Sequence, residues 1–259
     1  MTPTETFDAE RRLRVRQNGS DTEFQSLSRG WLEAALRRRY SYNFTWLGRP
    51  IIQFPQDIVG VQELIWETKP DLIVETGIAH GGSLILSASM LALLDLCEAI
   101  AGGTTMNPRE SRRRVLGIDV EIRPHNRAAI EAHPMAGWIE MVEGSSIDPQ
   151  VIAQVSSRAA GYRTIMVLLD SNHTHRHVLA ELEAYARLVR AGSYCVVFDT
   201  CIEDMPPELS SGRPWGPGNA PGGAVAEFLN GHAEFEIASE LCDKLSITVL
   251  PGGVLKRIR

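Results

Sequence analysis

The sequence predicts an α/β fold, with a doubly wound, mostly parallel sheet and a helical N-terminal extension. Short runs rich in Val, Ile and Leu alternate with longer helical patterns, and a helical pattern precedes each such run after the first. A chain of 259 residues has room for one such domain. We expect residues 1–50 to form the extension and residues 51–259 to form the domain.

The strand and helix predictions follow the hydrophobic periodicity of each stretch. Apolar runs bounded by turn residues predict strands at 71–75, 115–119, 138–142, 164–169, 193–198, 234–239 and 246–250. Apolar residues at helical spacing predict helices at 57–68, 82–100, 124–132, 149–158, 175–189 and 222–230. In such a fold, ligands bind at the carboxyl ends of the strands.

Three stretches interrupt the alternation. The first 50 residues contain a basic helix candidate, WLEAALRRRY, followed by an aromatic loop, and residues 101–114 have the composition of a surface insertion. Residues 204–221 are too rich in Pro and Gly for a helix or strand. A loop of this length within one domain is a lid, a binding loop or a disordered segment.

The charge balance favours a small-molecule partner. With 26 basic and 32 acidic residues the formal net charge is −6, which argues against binding to nucleic acid or to an anionic membrane. The four cysteines form no C-x-x-C pair, the first twenty residues lack an apolar signal segment, and we expect no window that matches a membrane span. We therefore expect a cytoplasmic protein with reduced cysteines, and homo-oligomerisation is left open.

A glycine-rich turn, VETGIAHGGS, joins the first predicted strand of the domain to a helix. Its glycines allow a ligand to approach the backbone closely. The turn does not match G-x-G-x-x-G, and Glu75, two residues before Gly77, would repel a pyrophosphate. A cationic ligand such as S-adenosylmethionine suits this acid better. The alternative is a tight strand-to-helix corner without a ligand.

Polar residues follow the next two predicted strands. Asp119 ends the second, where an acid can accept hydrogen bonds from ribose hydroxyls. Ser145 and Ser146 follow the third, within reach of an adenine ring. These residues favour a nucleoside-containing ligand over an empty corner.

Two aspartates end the fourth and fifth predicted strands, at Asp170 and Asp199. At the tips of adjacent parallel strands, these two carboxylates would lie within several ångströms of each other. Such a pair needs a cation or a shared proton, and oxygen ligands suggest Mg²⁺. His173, His175 and His177 follow Asp170, and three imidazoles also permit a transition metal. Their two-residue spacing directs them around a helix start, and His175 and His177 as surface or cap residues remain an alternative.

Several of these motifs together resemble the cephalosporin hydroxylase-like family, which includes rhamnosyl O-methyltransferases. The resemblance is carried by YSYNFTWLGRPIIQFPQDI, PDLIVETGIAHGGS, LLDSNHTHRHVLAELEAYARLV, GSYCVVFDT and RPWGPGNAP, and it spans roughly residues 40 to 257. It implies a Rossmann-like methyltransferase fold, with S-adenosylmethionine as the methyl donor and a divalent cation. The turn is also similar to that of catechol O-methyltransferases, with Glu75, Gly77, Gly81 and Ser83 at the same spacing. Together with the strand ends, we expect the donor-binding residues to be Glu75, Gly77, His80, Gly81, Ser83, Asp119, Ser145, Ser146 and Asp170.

The chain departs from these relatives at the metal site. Cephalosporin-type relatives place an acid just before the fifth-strand aspartate, where this chain has Phe198, and catechol-type enzymes place an Asn after it, where this chain has Thr200. The expected ligands are therefore Asp170, Asp199 and Thr200, with the third in doubt. His173 lies at the offset of the catechol-type catalytic Lys, and we expect it to be the general base, with Asp170 as the alternative.

The function implied is metal-dependent O-methylation of a hydroxyl on a sugar or other natural product. Trp46, Arg49, Trp215 and Asn219 are candidate walls of the acceptor pocket, although WLGRP as a structural brace and RPWGPG as a structural turn fit equally well. Two other functions remain open. A nicotinamide-dependent oxidoreductase is disfavoured by the missing glycine fingerprint. A catalytically silent S-adenosylmethionine-binding subunit is left open by Phe198, which replaces a metal ligand of the family.

Overall fold

The computed structural model describes residues 1–259. Two helices, α1 (Pro3–Ser20) and α2 (Thr22–Arg37), form the start of the chain, followed by a short antiparallel hairpin of β1 (Phe44–Trp46) and β2 (Arg49–Ile51). Leu32 and Ala35 of α2 are buried in the core of the domain. The predicted helical extension is therefore packed onto the domain, and its boundary at residue 50, which falls inside β2, stays a prediction.

The domain alternates helices and strands as predicted. The strands are β3 (Leu72–Thr76), β4 (Arg114–Asp119), β5 (Ile139–Glu143), β6 (Ile165–Leu169), β7 (Tyr194–Val197), β8 (Phe235–Ile237) and β9 (Val254–Arg257). The helices are α3 (Pro55–Thr68), α4 (Gly82–Ala101), α5 (Pro124–Glu131), α6 (Pro149–Ala159), α7 (His175–Tyr185), α8 (Pro221–Gly231) and α9 (Ser239–Leu245).

The seven strands form one sheet in the order β5-β4-β3-β6-β7-β9-β8. The first five are parallel, whereas β9 is antiparallel to both β7 and β8. Two hydrophobic clusters cover the sheet: one contains residues of α2, α3 and α4, and the other contains residues of α6, α7 and α8. The predicted doubly wound, mostly parallel fold is thus confirmed, and the strand order reverses between β3 and β6.

One strand prediction was wrong. Residues 246–250 form no strand, because the buried carboxylate of Asp57 accepts hydrogen bonds from the Thr248 hydroxyl and the Val249 N–H. The last strand lies instead at 254–257. The predicted helix at 175–189 ends at Tyr185 and continues as a 3₁₀ turn.

The expectation about apolar windows was also wrong. Helix α4 is long and apolar enough to cross a membrane by length and composition, with a mean hydropathy of 1.9. It is a core helix in this fold, since Leu84, Ile85 and Leu91 are fully buried and the helix contacts α3 and β4.

Candidate active site

The glycine turn lies at the point where the strand order reverses. Gly77 follows β3 with φ +92°, and a Cβ built on it would overlap the backbone carbonyl of Asp170, which follows the neighbouring strand β6. Only glycine fits here, because the left-handed conformation and the close approach both exclude a side chain. In doubly wound folds this point is where ligands bind.

Glu75 lies beneath this turn. Its side chain is 2% exposed, and its carboxylate accepts hydrogen bonds from the hydroxyls of Ser83 and, at 3.5 Å, Ser87. Burial raises the pKa of Glu75 to about 7, against an ordinary value of 4.5, and the two serine bonds only partly oppose it. A cation at the turn would favour the ionised carboxylate, so this acid fits a positively charged ligand.

Asp119 supports the turn from β4. Its Oδ2 accepts hydrogen bonds from the N–H groups of Ile78 (2.8 Å) and Ala79 (3.2 Å), and its Oδ1 accepts one from the Glu121 N–H at 3.2 Å. The carboxylate therefore ties the ends of β3 and β4 together. An ionised carboxylate has about four lone-pair sites, so capacity remains for the predicted ribose contact.

The hairpin braces the turn from the other side. The Arg49 guanidinium donates hydrogen bonds to the His80 carbonyl (2.6 and 3.0 Å) and to Oδ1 of Asn126 (3.1 Å), while the Asn126 amide donates to the Ala79 carbonyl. Gly81 precedes the first residue of α4 as its N-cap, in a left-handed conformation. Sequence reasoning missed Asn126, since nothing in its local pattern marks a residue of α5 as a support for a distant turn.

Trp46 belongs to the same brace. Its indole N–H donates a 3.0 Å hydrogen bond to the Ser89 hydroxyl, and its ring packs on the core. The interpretation of WLGRP as a brace agrees with these contacts. A role for Trp46 and Arg49 as walls of an acceptor pocket stays a prediction.

A small cavity of ≈ 50 Å³ lies between the hairpin and the turn. It is bounded by residues 50–53, residues 77–80, Gly82, Ser83 and Asp170. The cavity therefore joins the glycine turn to the acid that follows β6.

Asp170, His173 and Asp199 form the polar cluster at the carboxyl edge. One ligand atom from each lies within 4.8 Å of the other two, and His173 Nε2 lies 3.3 Å from Asp199 Oδ2. Burial raises the pKa of Asp170 well above its usual range, and the nearby acids Asp199, Glu75, Glu181 and Asp57 raise it further. A cation bound in the cluster would relieve this repulsion between carboxylates, so the cluster fits a metal ion.

Both residues beside Asp199 are buried. Phe198 is 3% exposed and packs in the core, and the buried Thr200 donates its hydroxyl hydrogen to the Val249 carbonyl at 3.3 Å. Asp199 has φ +57°, which turns the chain sharply at the end of β7. Thr200 as a metal ligand stays a prediction, and its hydroxyl is already engaged.

The loop at 204–221 packs beside the cluster. Trp215 contacts the His173 ring edge-to-face, with 4.9 Å between ring centroids, and Asn219 accepts a 3.1 Å hydrogen bond from the His175 N–H. Glu203 accepts hydrogen bonds from the N–H groups of Gly218 and Gly223. The predicted lid or binding loop thus lies at the site, and Trp215 is its residue in contact with the cluster.

The other histidines make separate contacts. His175 Nε2 lies 2.8 Å from Glu227, and His177 Nε2 lies 3.0 Å from the hydroxyl of Ser146 and 3.3 Å from that of Ser171. Ser145 is half-buried nearby. Sequence reasoning missed the fully buried Glu181, which accepts a hydrogen bond from the Ser171 hydroxyl, because a helix pattern alone does not show which acid faces the sheet.

Comparisons with known proteins show which proteins the chain resembles. The chain is 28% identical over 221 residues to the rhamnosyl O-methyltransferase of Mycobacterium tuberculosis (strain H37Rv), covering 82% of this chain and 78% of that protein. The protein of the same name from Mycobacterium leprae is 27% identical over 214 residues, covering 82% of each chain.

Solved structures agree on the fold. A CmcI structure described with Mg-SAM is 17% identical, covers 84% of this chain and 78% of that chain, and superposes with a TM-score of 0.53. A CmcI structure described with SAH is 18% identical, covers 83% of each chain and has a TM-score of 0.54. The family model described as Rhamnosyl O-methyltransferase/CmcI matches residues 38–258, and the chain therefore belongs to that family.

Proposed function

We propose that the chain is an S-adenosylmethionine-dependent and divalent-metal-dependent O-methyltransferase, which acts on a hydroxyl of a sugar or other natural product. The observation that carries the proposal is the position of Asp170. Its backbone carbonyl backs the glycine turn at Gly77, and its carboxylate belongs to the cluster with His173 and Asp199. A donor at the turn and a hydroxyl at the cluster would therefore be neighbours.

The methyl donor fits the turn in three respects. Close packing of Gly77 against the Asp170 carbonyl brings the turn next to the carboxylate cluster, the buried Glu75 matches a positive charge, and Asp119 offers lone pairs at the end of β4. A phosphate-bearing nicotinamide cofactor fits less well, because Glu75 would repel its pyrophosphate. This favours the methyl donor over the oxidoreductase alternative.

Methyl transfer to an alcohol is an in-line displacement, so the protein must align two substrates and remove a proton. Asp170 and Asp199 would hold the cation, which when bound would supply Lewis-acid stabilisation of negative charge on the acceptor oxygen. Trp215 would shield the cluster from water, and His173 or Asp170 would receive the proton. The relatives named rhamnosyl O-methyltransferase support a sugar hydroxyl as the acceptor.

The test is transfer of a labelled methyl group from S-adenosylmethionine to rhamnosyl glycosides, with and without excess chelator. We expect labelled ether product that disappears with chelator and returns with added Mg²⁺. Full activity in the presence of chelator would refute the metal dependence.

A second candidate function is that of a catalytically silent subunit, and the observation behind it is Phe198. This buried, apolar residue stands where relatives place an acid. A silent S-adenosylmethionine-binding subunit would bind S-adenosylhomocysteine and the cation. It would transfer no methyl group to any of the rhamnosyl glycosides.

A further inference from the structure

We propose that His173 is itself the third protein ligand of the divalent cation, so that the site consists of two carboxylates and one imidazole and prefers a first-row transition ion to Mg²⁺. This inference rests on the proposed metal dependence. It changes the role of His173 from proton acceptor to ligand.

The separations within the cluster match those of ligands around one ion. Ligand bonds of about 2.1 Å at right angles place neighbouring ligand atoms about 3.0 Å apart, and opposite ones about 4.2 Å apart. His173 Nε2 and Asp199 Oδ2 are 3.3 Å apart, and all three ligand atoms lie within 4.8 Å of one another. A small inward movement would complete the site.

The His173 ring is held in place by its surroundings. The ring edge contacts Trp215, and the side chain is 19% exposed. The side chain of the preceding residue, Asn172, accepts hydrogen bonds from the N–H and the hydroxyl of the following residue, Thr174, which fixes the turn that carries the histidine. A ring that is already oriented suits a metal ligand, because its side chain loses less conformational freedom when the cation binds.

The remaining candidates for a third ligand are less suitable. Phe198 offers no donor atom, and the Thr200 hydroxyl is engaged with the Val249 carbonyl. Asp170, His173 and Asp199 are the one group of three His, Cys, Asp or Glu side chains that comes together closely enough to hold an ion. The imidazole therefore takes the place that a further acid would occupy.

The donor set predicts the choice of ion. Carboxylates and water suit Mg²⁺, whereas imidazole adds affinity for ions such as Mn²⁺, Co²⁺ and Zn²⁺. With its Nε2 lone pair on the cation, His173 cannot accept the hydroxyl proton at that atom.

The direct test is electron spin echo modulation of the full-length protein loaded with Mn²⁺, which detects a coordinated nitrogen independently of turnover. We expect a nitrogen coupling in the wild-type protein that is lost in His173→Gln and kept in His175→Gln, a matched control two residues away. A plain His173–Asp199 ion pair would give Mn²⁺ without nitrogen coupling. That result, coupling that survives His173→Gln, or no Mn²⁺ binding at all would each overturn the proposal.

Calorimetry supplies a second measurement. His173→Gln should weaken Co²⁺ binding on the order of 10- to 100-fold and Mg²⁺ binding much less, whereas Asp170→Asn should weaken both. Equal losses for the two ions in His173→Gln would contradict the assignment.

Titration of the same samples with S-adenosylhomocysteine keeps the two proposals apart. Failure to bind this ligand would refute the proposed function. The nitrogen coupling would still decide whether His173 is a ligand of the cation, because it is measured on the metal-loaded protein without a methyl donor.

Discussion

The backbone carbonyl of Asp170 occupies the space where a side chain on Gly77 would begin. The two residues follow adjacent parallel strands, on either side of the point where the strand order reverses. This contact couples the expected donor turn to the expected metal ligand. A change at either residue is therefore expected to affect both donor binding and metal binding.

Gly77→Ala should both destabilise the fold and weaken donor binding. The added Cβ overlaps the Asp170 carbonyl and requires a left-handed conformation, at a cost on the order of 1–3 kcal/mol. Thermal unfolding and calorimetry with S-adenosylhomocysteine measure the two effects. Gly161→Ala is the control, since a Cβ there meets nothing within 4 Å; equal behaviour of the two variants would show that the contact is unimportant.

The buried Glu75 should make stability fall between pH 4.5 and pH 7. Its pKa is about 7 in the folded protein against an ordinary 4.5, so the unfolded chain releases this proton first as the pH rises. Its contribution is fully present below pH 4.5 and is lost as the pH rises through 7, a change on the order of 3 kcal/mol. Denaturant unfolding across this range should give a shallower pH dependence for Glu75→Gln, whereas an unchanged slope would exclude Glu75 as its source.

Arg49→Ala should separate a structural brace from a pocket wall. The brace holds the His80 carbonyl and Asn126, so its loss should lower both stability and affinity for S-adenosylhomocysteine, by roughly 1–3 kcal/mol for the unpaired groups left behind. Unfolding and donor titration provide the measurement. A variant with normal stability and donor affinity, but a raised KM for the acceptor, would identify Arg49 as a wall instead.

Asp119→Ala should weaken donor binding severely. The carboxylate holds the N–H groups of Ile78 and Ala79 and is expected to contact the ribose, and hydrogen bonds to a charged group contribute about 1.5–3 kcal/mol. Calorimetry with S-adenosylhomocysteine checks the loss. Glu121→Ala is the control, because Glu121 contacts Asp119 through its backbone N–H, which the substitution keeps. Unchanged affinity in Asp119→Ala would remove Asp119 from the site.

Much of the sheet was predictable because its parallel strands are continuous apolar runs, as at Ile165–Leu169. The stretch at 246–250 has a similar local pattern, yet it is held by the carboxylate of Asp57, which lies far earlier in the chain. Helix α1 was missed because its apolar periodicity is weak. The available signal was a capping box, in which Thr2 and Glu5 each accept a hydrogen bond from the other's backbone.

The candidate site also has a part that the sequence predicts and a part that it does not. Strand ends placed Asp170 and Asp199 at one edge, because residues that follow adjacent parallel strands must meet there. The contacts of Arg49 with the turn and of Trp215 with His173 depend on how loops cross the sheet edge. Local sequence pattern carries no information about such crossings.

The central claim is that the glycine turn binds S-adenosylmethionine. Its most direct test is a calorimetric titration of the full-length protein with S-adenosylhomocysteine and, separately, with NAD. We expect saturable binding of S-adenosylhomocysteine that is weakened in both Gly77→Ala and Asp119→Ala, with little or no binding of NAD. Preferential binding of NAD, or binding of S-adenosylhomocysteine that neither substitution affects, would contradict it.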